Sequence, residues 1–302
     1  MILNGPAGWG EFCPFTEYDD AESAAWLRSA LEAATTGWPA PVREWIPVNS
    51  IIPAVGPQEA FGLAREAGCG TAKVKVADHP GSAAEDQARV EAVRDALGPS
   101  GHVRVDANGV WDPDTAVARL RELDRAAGGL QYAEQPCQTL EELAAVRRRV
   151  NVPIAADESI RRAEDPMALA LAGAADVAVI KCAPLGGVRR SLDVAQACGL
   201  PCVVSSALET SVGLAAGVAL AAALPSLEYA CGLGTLSLLS ADVARPATGL
   251  TPIGGMLPVQ PVAPEPELIE SLRPADCERE RWWQHRLDRV WGLCSAQRGR
   301  QG

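Results

Sequence analysis

Six ionisable residues are spaced along the middle of the chain so that each ends a short apolar run. Lys73 and Lys75 close Thr71-Ala-Lys-Val-Lys, Asp106 closes Val103-Arg-Val-Asp, and Glu134 closes Leu130-Gln-Tyr-Ala-Glu. Asp157 follows Pro153-Ile-Ala-Ala, and Lys181 closes Val177-Ala-Val-Ile-Lys. Three carboxylates directed at one small space repel strongly unless a cation lies among them. An oxygen-only donor set suits Mg²⁺, with Mn²⁺ as the other candidate, and leaves positions open for water or substrate. Such an ion polarises a substrate carboxylate, so that a proton on the adjacent carbon comes within reach of a side-chain base. A lysine beside a second ammonium and near a divalent cation has its pKa lowered, which makes Lys75, with Lys73 next to it, the candidate base. Lys181 approaches from the opposite flank, where it can stabilise developing negative charge or act as a second acid/base. Each residue alone has an ordinary structural reading: a lysine at a strand end is most often a solvated rim residue. Asp157 before Glu158-Ser159 could simply cap a helix. It is the six in this order that argue for a site.

For the six to meet, the runs that carry them must be neighbouring parallel strands. Candidate strands fall at Val48–Val55, Thr71–Ala77, Val103–Gly109, Leu130–Gln135, Val152–Glu158, Asp176–Ala183, Pro201–Ala207 and Leu227–Gly232. Between them lie amphipathic segments such as Ser82–Leu97, Pro113–Ala127, Leu140–Arg149 and Val188–Cys198. Regular strand–helix alternation predicts parallel strands with crossover helices, and about eight units, or seven plus one, predict a TIM-type (β/α) barrel. In such a barrel the C-terminal strand ends share one face, which is where all six residues fall. Two-residue spacing points Lys73 with Lys75, and Arg104 with Asp106 and Asn108. No GxGxxG follows the first strand, which disfavours a dinucleotide fold.

The flanks read differently. Residues 1–45 form a partial N-terminal capping segment: a glycine-rich, loop-like start, then a helix from Asp19 and Asp20 to about Thr35 with Ala24, Leu27 and Leu31 on one face. The catalytic barrel spans 46–240. Residues 241–302 are a proline-rich C-terminal extension that leads to a last helix, roughly Asp276–Cys294. Trp283, Leu287, Val290, Trp291 and Cys294 are its expected apolar face, and Arg279, Arg281, Arg286 and Arg289 its solvated one. This helix is expected to pack on the cap or the barrel.

Composition narrows the function. The 302 residues carry a net charge of −11, which argues against nucleic-acid or anionic-membrane partners and leaves a small carboxylate substrate open. No apolar run is long enough to span a bilayer and the start has no signal-peptide pattern, so the expected location is cytoplasmic. Nine scattered cysteines without a CxxC pair, and only three histidines, suit buried thiols rather than a disulfide framework or a zinc site. Oligomeric state is left open.

The pattern Lys-x-Lys, Asp-x-Asn, Glu-Gln-Pro, Asp-Glu-Ser and a late Lys resembles the enolase superfamily in its muconate-lactonizing-enzyme-like branch. Longer motifs are similar to the actinobacterial type of o-succinylbenzoate synthase. These are Thr71-Ala-Lys-Val-Lys-Val, Pro153-Ile-Ala-Ala-Asp-Glu-Ser-Ile-Arg, Ala183-Pro-Leu-Gly-Gly, Val204-Ser-Ser-Ala-Leu-Glu-Thr-Ser-Val-Gly and Ala230-Cys-Gly-Leu-Gly-Thr. That resemblance implies a metal-dependent lyase of menaquinone biosynthesis, which eliminates water in syn geometry from a succinyl-hydroxycyclohexadiene carboxylate. It implies Lys75 as the base and then the acid, Lys73 as electrostatic support and Lys181 over the ring. Asp106, Glu134 and Asp157 would be the Mg²⁺ ligands. Ser205, Ser206, Gly232 and Gly234 would lie by the succinyl carboxylate, with Asn108 and Arg104 as further substrate contacts. Members of the family carry capping strands ahead of Gly-Trp-Gly-Glu that are absent here, so the lid is expected to be incomplete. Three alternatives stand beside this reading: an N-acylamino acid racemase or dipeptide epimerase, a Schiff-base aldolase using Lys181, and a non-catalytic barrel with a reduced lid.

Overall fold

The computed structural model describes residues 1–161 and 173–298. The chain begins with two short antiparallel strands, β1 (Ile2–Gly5) and β2 (Gly8–Glu11), followed by helix α1 (Asp20–Thr35). The glycine-rich start is strand and not loop. It pairs as a hairpin because glycines let it lie directly on α1. A Cβ at Gly5 would fall 2.3 Å from the Ala34 carbonyl oxygen, and one at Gly10 would fall 2.0 Å from that of Ala30. Helix α1 starts at a capping box in which Asp19 accepts from the Glu22 amide and the Glu22 side chain accepts from that of Asp19.

After β3 (Trp45–Pro47), strands and helices alternate: β4 (Ser50–Ile52), α2 (Pro57–Glu66), β5 (Thr71–Lys75), α3 (Ala83–Leu97), β6 (His102–Asp106), α4 (Pro113–Ala127), β7 (Leu130–Glu134), α5 (Leu140–Arg147), β8 (Ile154–Ala156) and α6 (Glu158–Arg161). Then come β9 (Val177–Lys181), α7 (Cys182–Leu185), α8 (Val188–Cys198), β10 (Cys202–Ser205) and α9 (Ser211–Ala223). Caps set several of these boundaries. Asp112 accepts the Asp114 and Thr115 amides with Pro113 in the first turn of α4, and left-handed Gly128 ends that helix. Thr139 and Glu142 form a second capping box at α5.

The seven strands β4 to β10 make one all-parallel sheet in sequential order, curled into a TIM-type barrel. The expected eighth strand is reduced to bridges. Cys231 pairs with Val48, and Gly232 with Ser205, which joins the two edges of the sheet. Just before them, the Ala230 carbonyl accepts from Arg104 at 2.7 Å instead of extending the ladder.

Beyond the barrel, β11 (Met256–Pro258) pairs antiparallel with β3, α10 (Pro266–Ser271) follows, and α11 (Cys277–Arg298) packs on α1. The C-terminal stretch thus braces both barrel and cap. Two expectations for α11 are corrected. Trp291 is 51 % exposed, because helical geometry places it just off the Val290 and Cys294 row, and Arg286 is 1 % exposed rather than solvated.

The apolar residues among those described form three clusters. The largest lies between the barrel strands and their helices. A second, with Phe12, Trp26, Leu27, Ala183, Ala207 and Val290, joins cap, barrel rim and α11. The third, Tyr132, Ala155, Val177, Val179 and Val203, fills the barrel itself. Helix α9 is apolar nearly all round and buried along most of its length, as expected of a helix enclosed on every side. No helix among the described residues is long and apolar enough to cross a membrane.

Candidate active site

Lys75, Asp106 and Glu134 are register partners across β5, β6 and β7, so their side chains leave the barrel at one level. Lys73 starts two residues lower on the same face and reaches upward. Its Nζ lies 2.7 Å from Glu134 Oε1 and 3.2 Å from Asp106 Oδ2. Lys75 Nζ donates to Asp106 Oδ2 at 2.6 Å and to Asn108 Oδ1 at 2.8 Å. Across the mouth, Lys181 Nζ donates to Asp157 Oδ2 at 2.6 Å. The structure therefore gathers all six residues into one ring. Asp106 Oδ2 stands between the ammonium groups of Lys73 and Lys75, so the two do not face each other bare.

The backbone that holds this ring is strained where the strands end. The non-glycine residues with positive φ among the described residues are Ala77 (62°), Asn108 (48°), Gln135 (40°) and Leu208 (66°). Each lies within three residues of the end of β5, β6, β7 or β10, on the mouth side. Strain of this kind costs about 1–3 kcal/mol per residue and persists where surrounding contacts over-determine it. Gln135 shows how. Its Oε1 accepts the amides of Asp157 and Ser159 at 2.9 and 3.2 Å, and its Nε2 donates to the Cys137 carbonyl and Ser159 Oγ at 2.9 and 2.7 Å. Gln135 thereby seats Asp157 from the neighbouring strand. Sequence reasoning passed over this role, although the Glu-Gln-Pro motif contained the residue.

Burial and neighbours set the charges. Burial works against the Lys73 ammonium, but Glu134 and Asp106 outweigh it and hold its pKa well above the lysine range. Burial likewise opposes charge on Lys181, and Asp157 overcomes it to raise the pKa. Burial would raise Asp106, but Lys73 and Lys75 hold it well below the usual carboxylate range. Glu134 goes the other way. Burial, with the charges of Asp106 and Asp157 added, overrides Lys73 and pushes it up to about 7. Glu134 thus carries its negative charge at a cost set chiefly by burial, which Lys73 offsets only in part.

The donor set bears on whether the ring suits a divalent cation. Glu134 Oε2 and Asp157 Oδ1 are buried without a hydrogen-bond partner. As the side chains stand, no three Asp, Glu, His or Cys side chains among the described residues close on a common point, because the lysines occupy the space between the carboxylates. Unpartnered carboxylate oxygens and an oxygen-only donor set fit a hard divalent ion.

The remaining candidates divide. Asn108 is at the mouth, where it joins Lys75 to Glu158 (Nδ2 to Oε1, 3.2 Å). Ser205 and Gly232 touch across the seam: a Cβ on Gly232 would meet Ser205 Oγ at 2.6 Å. Ser206 Oγ lies 2.6 Å from Thr235 Oγ1, and a Cβ on Gly234 would meet the Asn49 carbonyl at 2.9 Å. Arg104 is not at the mouth. It is fully buried below the ring, with Nε on Gln131 Oε1 (2.7 Å) and Nη1 on Asn49 Oδ1 (3.1 Å) and the Ala230 carbonyl. Pointing into the barrel two residues before Asp106 places it one layer too deep to meet a substrate. Glu158 and Arg161, which adjoin Asp157, were not singled out from sequence.

Comparison with known proteins gives consistent likenesses. Residues 58–261 match the family described as enolase C-terminal domain-like, and residues 1–34 match enolase N-terminal domain-like. The o-succinylbenzoate synthase of Thermobifida fusca (strain YX) is 61 % identical over 289 residues, covering 95 % of this chain and 88 % of that one. That of Mycolicibacterium smegmatis is 52 % identical, covering 96 % and 87 %. Among solved structures, muconate cycloisomerase from Pseudomonas fluorescens superposes with a TM-score of 0.68 at 27 % identity, over 77 % of this chain and 66 % of that one. A dipeptide epimerase from Enterococcus faecalis V583 gives 0.62 at 28 %, over 73 % of this chain and 65 % of its own, just under two thirds.

Proposed function

The chain belongs to the enolase superfamily, and on that premise we propose that it catalyses the o-succinylbenzoate synthase reaction of menaquinone biosynthesis. This is the syn elimination of water from 2-succinyl-6-hydroxy-2,4-cyclohexadiene-1-carboxylate. The observation that carries the reading is the 61 % identity to a synthase of that name across nearly the whole chain. The ring of three carboxylates and three lysines supplies the groups the reaction needs.

Asp106, Glu134 and Asp157 would hold a divalent cation, Mg²⁺ by preference. Bound there, the ion supplies positive charge to the substrate carboxylate, which lowers the cost of removing the proton next to it. Lys75 is the base because its side chain is 35 % exposed, whereas those of Lys73 and Lys181 are 8 % and 14 % exposed. In its neutral form Lys75 takes the proton from C1, and the electron pair of that C–H bond moves into the carboxylate. The pair then returns to form the ring double bond as the C6–O bond breaks. The ammonium of Lys75, on the same face, gives its proton to the departing hydroxyl, so water leaves and the base is regenerated. Lys73, fixed between Glu134 and Asp106, keeps the Lys75 flank electropositive. Lys181 faces the other side of the ring of atoms and stabilises the negative charge before elimination.

The purified chain, assayed by ultraviolet absorbance with the cyclohexadiene substrate, should turn over with Mg²⁺, stop with EDTA and recover when Mg²⁺ is restored. Turnover indifferent to EDTA would remove the metal from the proposal. A second reading, racemisation of an N-acylamino acid, draws on the placement of Lys75 and Lys181 on opposite flanks. It requires exchange of the α-proton of an N-succinyl amino acid for deuterium in heavy water, with inversion.

A further inference from the structure

Next to the ring at the mouth lies Arg161, a residue of α6. Its side chain is 12 % exposed and serves three partners. Nη2 donates to Glu158 Oε1 at 2.8 Å, Nη1 donates to the Tyr18 hydroxyl, and Nε lies 3.4 Å from Asp157 Oδ1. Glu158 Oε1 also accepts from Asn108, which accepts in turn from Lys75. Arg161 is therefore linked to the proposed base by two hydrogen-bonded residues. It also touches the carboxylate whose other oxygen holds Lys181.

Tyr18 lies in the loop between β2 and α1, and that loop is clamped from its far side. Arg286 of α11 donates through Nη2 to the Phe15 carbonyl (2.9 Å), the Tyr18 carbonyl (2.5 Å) and Ser23 Oγ (2.8 Å). Its guanidinium lies 5.1 and 5.4 Å from the ring centres of Trp282 and Trp283, and Trp283 meets Phe12 edge-on at 6.4 Å. Phe15, Tyr18 and Trp26 pack edge-to-face with one another. A buried arginine spread over two carbonyls and a hydroxyl fixes the backbone of the loop, and the aromatic contacts fix its side chains. The loop meets Arg161 through a tyrosine hydroxyl, a group whose direction follows the backbone that carries it.

We propose that Arg161 is a positioning residue: through Tyr18 it makes the seat of the cap loop, itself held by Arg286 of the C-terminal helix, orient Asp157 and, by way of Glu158 and Asn108, Lys75. The inference rests on the reading of the ring as the reacting centre. Its physical basis is the guanidinium fork, which from one rigid plane hydrogen-bonds Tyr18 and Glu158 and keeps its charge 3.4 Å from Asp157 Oδ1, a spread that an ammonium on a flexible stem does not hold. If the loop lifts, the fork loses a partner and Asp157 loses a fixed neighbour. The cap and the chemistry are thereby coupled without the cap supplying a reacting group.

The test uses Tyr18→Phe, Arg161→Lys and the double variant, with Arg289→Ala as a control. Arg289 is on the same helix, in an exposed ion pair with Asp20. Each single change should raise KM about five- to tenfold, the worth of one charge-assisted hydrogen bond, and the double should be no worse than the poorer single. Arg161→Lys should also lower kcat, since lysine cannot hold Glu158 and Asp157 together. Mere loss of folded protein would lower kcat and leave KM unchanged. Limited proteolysis within residues 12–18 should accelerate in both singles, equally in the double, and not in Arg289→Ala. Effects of the two singles that multiply in the double, or a loop cut at the wild-type rate in every variant, overturn the coupling. If the wild-type chain fails to turn over the cyclohexadiene, the functional reading fails, and the proteolysis series alone still decides for or against the latch.

Discussion

Two layers of the barrel interior, two residues apart along the same strand, handle buried charge in opposite ways. At the mouth, Lys73, Lys75 and Lys181 pair with carboxylates at 2.6 to 3.2 Å. One layer down, Arg104 has no carboxylate partner among the described residues. It donates to Gln131, Asn49 and the Ala230 carbonyl, and its guanidinium lies 4.6 and 5.7 Å from the ring centres of Tyr132 and Tyr229. Charges in mutual pairs at the open end of the barrel can exchange partners: a cation can take a carboxylate from a lysine and an anion can take the lysine. A cation sealed among neutral acceptors and aromatic faces gains nothing from a ligand that cannot reach it. The mouth is therefore built for chemistry, and the floor for closing the barrel between its first, fourth and eighth staves.

If that contrast is right, removing charge from the two layers does different things. Lys75→Ala should cut kcat by about 10³-fold or more with the melting temperature little changed, since a general base typically contributes 10²–10⁴. Lys181→Ala should lose about 10²-fold, the scale of one electrostatic stabiliser. Full activity in Lys75→Ala would remove the base assignment. At the floor, Arg104→Met should leave KM near wild type and cost about 3 kcal/mol in urea denaturation, because several buried acceptors lose their donor. A variant that unfolds normally but is dead would place Arg104 in the chemistry and erase the contrast.

The smallest effect is expected at a third place, the seam between cap and barrel. Glu11 of β2 accepts the Thr210 and Gly213 amides at the start of α9, and Glu209 accepts the Ala207 amide beside it. No lysine or arginine forms an ion pair with either among the described residues. Burial, with the charge of Glu11 added, raises Glu209 from 4.5 to about 7. The folded state therefore binds a proton more tightly than the unfolded one, so stability falls as pH rises from about 4.5 to about 7 and levels off above. In Glu209→Gln, urea midpoints measured across that window should lose this part of their slope. An unchanged slope would mean that the seam accommodates the ionised carboxylate.

Much of the site was legible because a charge at the end of an apolar run is unusual and recurs here at the strand ends. The helix ranges Pro113–Ala127 and Val188–Cys198 were read as they stand, since Asp112-Pro113, Gly128 and Gly199 punctuate them. Other features were hidden. Arg286 falls among other arginines on a helix that reads as polar, and only the docking of α11 against α1 reveals that it faces inward. Trp291 is an apolar residue placed by helical geometry just off the buried row. Gln135, Glu158 and Arg161 act through partners on other elements, for which one sequence offers no signal.

The amino-acid order by itself determined which residues end each strand, and parallel register then forces those ends to one side of the barrel. The fold decided depth and partnership: that Arg104 sinks to the floor while Asp106 reaches the mouth, and that Arg161 meets Tyr18 from 143 residues away. Periodicity is local and is written in neighbouring residues. Burial and charge pairing depend on what the rest of the chain brings into the same few ångströms, and that is set only when the barrel closes.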